Sequence, residues 1–190
     1  MKYKIIKLGV LLNSLVLLAS AANIAYVPKT APGNTVTAGA GKQWPTTRFV
    51  VSGDCVTDNL TGLMWAKNAN LLGTGTWGSS STSGTAQYKV AQMDTNSSAT
   101  GYHLCGYSDW RLPNINELKS LLNYAATQNS STPAAWLNSQ GFTGVQTDYP
   151  YWSSTAFNGT FAWIVNFADS SSNNDYPINT NYVWPVRGGQ

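Results

Sequence analysis

Hydrophobic and polar positions change period along this chain, and each change marks an element. In "CVTDNLTGLMWAK" (residues 55–67) two short apolar runs flank Asn59-Leu60-Thr61-Gly62, which predicts two strands around a tight turn. Glycine suits the end of that turn because, lacking Cβ, it takes positive φ at little cost. Strand alternation then sends Leu63 and Trp65 to one face and Met64 and Ala66 to the other. The next stretch, "LLGTGTWGSSSTSGT", is dense in Gly, Ser and Thr and reads as a loop. Beyond it, Ala86 to Asp94 suits a modest helix with Tyr88, Ala91 and Met93 on its inner stripe.

The pattern is sharpest in "CGYSDWRLPNINELKSLL" (residues 105–122). Trp110 and Leu112 sit two apart, as in a strand facing the core, with Asp109 and Arg111 opposite. Pro113, which has no amide hydrogen, ends that strand. Asn114 is a good helix N-cap, and Glu117 three residues later completes a capping-box pattern. Ile115, Leu118, Leu121 and Leu122 then form one apolar stripe at helical spacing, with Lys119 on the solvent side.

Period-2 alternation returns near the C-terminus. "YWSSTA" (151–156), an Asn158-Gly159 turn and "FAWIVNF" (161–167) predict a hairpin, with Phe161, Trp163, Val165 and Phe167 alternating against Ala162, Ile164 and Asn166. "ADSSSNNDYPINTN" reads as a long polar loop. "YVWPVRGGQ" closes the chain, its Pro185 marking an edge position or a bulge.

The N-terminus has a different composition. Lys2, Lys4 and Lys7 precede an apolar run from Leu8 to Leu18 and the small residues Ala19-Ser20-Ala21, the three parts of a secretory signal peptide. Residues 22–47 are rich in Pro and Gly and read as a linker or loose arm, leaving 48–190 as one domain. The leader holds three of the eleven basic residues, so eight remain against eight acidic ones. A neutral exported part with no basic cluster argues against nucleic acid as partner, and nothing after the leader would insert in a membrane. The two cysteines, Cys55 and Cys105, lack CxxC spacing and predict a structural disulfide in an oxidising compartment.

Several of these stretches occur together in one known family. "TDNLTGLMW", "CGYSDWRLPNINELKSLL", "YWSST", "AWIVNF" and "YVWPVRGGQ" follow one another here in an order that resembles the DUF1566 family, named also for the C-terminal domain of the Legionella collagen-like adhesin. The resemblance covers roughly Cys55 to Gln190. It implies a C-type-lectin-like α+β fold, with two helices packed on a twisted antiparallel sheet. It also implies paired termini, with a strand near Val50 beside "YVWPVR". Members resemble exported surface modules, and the adhesin's domain is associated with sulfated glycans. This sequence has no collagen-like Gly-X-Y repeat upstream, and its neutrality argues against a polyanionic ligand.

Candidate chemistry is sparse. Only a tenth of the chain is charged, yet Asp109, Arg111, Glu117 and Lys119 share one window. Catalysis there would need a histidine, a second carboxylate or a nucleophile, and the sequence nominates none. A salt bridge or an arginine clamp on loop carbonyls explains the group instead. His103 stands alone beside Cys105, and no GxSxG, HExxH or phosphate-binding glycine loop is present. The formylglycine-generating enzymes are distantly similar, but they depend on a reactive cysteine pair. Asp169, Asn173, Asn174 and Asp175 offer oxygen ligands of the kind calcium takes, although a plain solvated loop accounts for them better. Trp77, Tyr149 and Tyr176 lie in polar surroundings where they would stack on sugar rings or anchor a protein. The expectation is therefore a secreted, periplasmic or cell-surface module of bacterial type. It would be non-enzymatic and without a cofactor, calcium being the one candidate, and would bind glycan or surface protein. A structural component of a surface assembly and a metal-dependent enzyme are the alternatives.

Overall fold

Strand β1 (Phe49–Ser52) turns back into β2 (Cys55–Asp58), which turns back into β3 (Leu63–Ala66), all antiparallel. The expected turn links β2 to β3: Gly62 has φ +75°, and its N–H donates to the Asp58 carbonyl at 2.8 Å. The computed structural model describes residues 44–124 and 131–188. The leader (1–21) and the arm through residue 43 lie outside the described residues. Trp44, at the end of the stretch read as an arm, is buried against Trp136 with ring centroids 5.4 Å apart.

Helix α1 (Ala86–Thr95) starts where Thr85 Oγ1 accepts the Tyr88 N–H, and it buries Ala86, Val90 and Met93. Its inner face is rotated from the expected one: Val90 is buried, while Tyr88 and Ala91 are half-buried. Helix α2 (Ile115–Ser120) carries the full capping box, Asn114 Oδ1 accepting from Glu117 N and Glu117 accepting from Asn114 N. The third helix, α3 (Pro133–Ser139), has Thr132 as N-cap and proline in its first turn, the position where a missing N–H costs nothing.

Two sheets form in place of the single antiparallel sheet expected, with three helices rather than two among the described residues. One sheet is ordered β1-β2-β3-β9, where β9 is Val186–Arg187. The other is ordered β4-β8-β5-β6-β7, from Thr74–Gly75, Asn181–Tyr182, Tyr151–Ala156, Ala162–Val165 and Ser172–Asp175. It is mixed, because β8 runs parallel to β5. The α+β class holds, but β1 does not lie beside the C-terminal strand: β9 pairs with β3, at the opposite edge from β1. The strand expected around Trp110 and Leu112 shrinks to one bridge, in which Arg111 and Val186 exchange hydrogen bonds of 2.9 and 3.0 Å. Both apolar side chains are nonetheless buried.

Trp184 is the hub of the larger core. Its ring centroid lies 5.3–5.7 Å from those of Trp65, Phe142, Tyr151 and Phe167, and its indole N–H donates to the Ala66 carbonyl at 2.8 Å. Rings at this spacing and tilt add edge-to-face attraction to the burial of their large areas. A smaller core gathers Val90, Met93, Trp110, Leu112 and Trp152 beneath α1. The Cys55–Cys105 disulfide ties β2 to the single turn Leu104–Gly106 beside that core.

Candidate functional site

The charged window resolves into separate structural pairs. Arg111 meets Glu117 with both guanidinium ends, at 2.7 and 2.6 Å, and also donates to the Gly188 carbonyl at 2.9 Å. Asp109 turns the other way and accepts from Arg187 at 2.6 and 3.1 Å. That neighbour holds the Asp109 carboxyl below its ordinary range. Arg48 and Asp58 form a third pair, buried, at 2.8 Å, with Arg48 also reaching the Ser120 carbonyl. All three arginines of the chain are thus committed to carboxylates. Lys119, expected on the solvent side, is half-buried, its ammonium 5.8 Å from the Trp163 ring centroid.

His103 is exposed, stacks on Tyr102 at 3.8 Å and lies with Nε2 3.2 Å from the Asp94 main-chain oxygen. The Asp94 side chain accepts the Trp110 N–H at 3.0 Å, and partial burial raises its carboxyl above the ordinary value. Among the described residues no three His, Cys, Asp or Glu side chains converge as a metal site. A cavity of about 230 Å³ opens between Leu71–Leu72 and α1, but its one charged group, Lys89, is spent on the carbonyls of Leu72 and Thr74.

The polar segment 169–176 is not the loop that its composition suggested. Residues 172–175 form β7, paired along its length with β6. The hydrophobic pattern misled because β7 lies at a sheet edge and carries Ser, Asn, Asn and Asp in place of β-branched residues. Pairing also separates the oxygen ligands. Asp169 sits in the turn before β7, accepting the Ser171 N–H, whereas Asp175 ends the strand. The Asp175 carboxylate accepts from Tyr176 N at 2.8 Å, Asn179 Nδ2 at 2.6 Å and Asn181 Nδ2 at 2.8 Å, so it anchors the connection to β8.

Pleat parity sorts the remaining candidates. Asn174 is the register partner of Trp163 and shares its face, while Asn173 and Asp175 face the opposite side. Trp77 is half-buried against the smaller core, its indole donating to the Ser153 carbonyl at 2.7 Å and its main-chain N–H to the Pro177 carbonyl. Tyr149 is exposed before β5, near the end of the sheet where β6 finishes.

Tyr176 does join a group of aromatic side chains. Phe157 and Phe161 flank the β5–β6 turn, Trp163 lies in β6, and the rings make a chain of contacts: Trp163–Phe157 at 5.1 Å, Phe157–Phe161 at 6.4 Å and Phe161–Tyr176 at 4.5 Å. Alternation correctly put Trp163 on the face of Val165 and Phe167. However, Val165 and Phe167 are buried in the core that α2 helps form, and the Phe157–Trp163 end stays open. The available signal was the Asn158-Gly159 turn itself, which places aromatic residues on both sides of a hairpin tip.

The fold and its polar interior define a small disulfide-locked α+β module whose ionic groups mostly brace one another. A family model described as the Lcl C-terminal domain matches residues 54–187, and the chain belongs to that family. The family takes its description from a collagen-like adhesin, which places the domain among surface-binding modules. No curated protein matches the chain. No helix among the described residues is long and apolar enough to cross a membrane.

Proposed function

We propose that this protein is an exported bacterial surface module that binds glycan or a surface protein without catalysing a reaction. One observation carries this reading: the arginines close on carboxylates of the same fold, while large aromatic side chains stay exposed at the β5–β7 end. Such a molecule has a rigid frame and an apolar contact surface, and apolar surface left in water by a rigid scaffold marks interaction sites. Residues 1–21 act as the leader and are removed on export; N-terminal sequencing of the mature protein starting near Ala22 is the expected result. A glycan array together with a pull-down against surface extracts tests binding, and silence in both would sink it.

A structural part in a surface assembly is the second reading, favoured by the edge strand β1, whose Val50 and Val51 are 43% and 45% exposed. Native mass measurement would show a stable oligomer if it holds and a monomer if it does not.

A further inference from the structure

The exposed aromatic chain at the end of the second sheet is held by a framework that fixes its shape. Asn158 Oδ1 accepts the main-chain N–H groups of Thr160 and Phe161, and Phe157 N–H bonds the Phe161 carbonyl, so the hairpin tip is rigid. Asp175 fixes the Tyr176 main chain from the other side. Tyr176 is 53% exposed and Phe157 46%. Rings held in place before a ligand arrives lose little conformational freedom on binding.

We propose that Phe157, Phe161 and Tyr176, with Asn174 beside them, form a stacking platform for an uncharged oligosaccharide. The proposal rests on the surface-binding reading above and names the ligand class. The C–H faces of a pyranose carry weak positive charge and complement the negative face of an aromatic ring. The Asn174 amide both donates and accepts, as ring hydroxyls require. Charge disfavours a polyanion: the three arginines are spent on carboxylates, and Lys119, over Trp163, is a single cation rather than a cluster. Edge geometry disfavours an added peptide strand. The β6–β7 ladder turns the main-chain groups of Asn174 outward, and the Asn173 side chain already accepts the Asn174 N–H at 2.9 Å. A guest strand would have to displace that bond.

The test is calorimetric titration of the exported protein with cellohexaose, chitohexaose, mannohexaose and a heparin hexasaccharide, each at low and high salt. At least one neutral hexaose binds, and its affinity changes by less than about two-fold with salt, since no counterions are released. Tyr176→Ala and Phe157→Ala each weaken that binding by about five-fold or more, while leaving the melting temperature in place. Three results overturn the proposal: no neutral hexaose bound at millimolar concentration, binding indifferent to both substitutions, or self-association that either substitution abolishes. Heparin binding or capture of a surface protein without neutral-sugar binding also overturns it, yet leaves the broader surface-binding reading intact.

Discussion

Arg111 and Glu117 face each other end to end, the two guanidinium nitrogens 2.7 and 2.6 Å from the two carboxylate oxygens. The same carboxylate accepts the Asn114 N–H at 2.8 Å, so one buried side chain caps α2 and neutralises the arginine whose main chain bridges to β9. Residues 111 to 117 and the distant C-terminal segment at Gly188 are joined through this one ion pair.

Removing that group should therefore be expensive. Glu117→Ala leaves a partly buried guanidinium unpaired and a helix amide unsatisfied, for a loss of about 2–4 kcal/mol. Glu117→Gln keeps an acceptor and should lose less. Asp109→Ala, at the exposed Arg187 pair, should cost under about 1 kcal/mol. Urea unfolding of the three variants checks the order; a Glu117→Ala protein as stable as the parent would refute the bracing role.

Replacing both cysteines by serine should lower stability by about 4 kcal/mol, because the crosslink spans 50 residues and restricts the unfolded chain. Thiol titration of the denatured, unreduced protein should find none free. Two titratable thiols there would contradict the pairing.

Two carboxylates should respond to pH with opposite sign. Asp109 is held below its ordinary value by Arg187, so its contribution is full above the usual carboxylate range and is lost as pH falls through the lowered value. Asp94 is raised by burial, so its contribution is full in acid and is lost as pH rises through the raised value. Asp94→Asn, which keeps an acceptor for Trp110 N–H, should stabilise the protein at about pH 7 and give no gain at about pH 3. Asp109→Asn should cost stability at the higher pH only. Unfolding curves at both pH values decide; a shared sign would refute the assignment.

Calcium should leave the melting temperature unchanged. A cation stabilises a fold by binding its native state, and the Asp175 carboxylate is occupied by three donors while Asp169 lies beyond the far end of β7. Any saturable rise in melting temperature on adding calcium would show an oxygen-rich site that this geometry does not provide.

Local physics made much of the fold legible. The β2–β3 turn, the Asn114 cap with its Glu117 partner, and the Asn158-Gly159 hairpin each rest on a few neighbouring residues whose backbone needs are strong. The disulfide followed from cysteine number and compartment. What escaped depended on remote partners. Nothing within "SSNND" announces that β6 will hydrogen-bond it into a strand, and nothing near Val186 says that β3 rather than β1 will receive it. Helix α3 has only Thr132-Pro133 as a local signal, a cap followed by a residue suited to the first turn, because its apolar stripe is short. The candidate site was half legible. Tyr176 stands out by its polar surroundings and Asn174 as an oxygen ligand, but Phe161 and Trp163 carry the same alternation as the buried Val165 and Phe167. Only the reach of α2 decides which of them are covered.

The last strand has a bearing on the order of events in synthesis. Trp184 joins the aromatic residues of the larger core, and Val186 is clasped between Trp65 and Arg111. A ribosome or a narrow conduit delivers these residues after nearly everything they touch. Until then the hub of the interior is missing and the first sheet lacks one border. The larger core can close only once Trp184 has arrived.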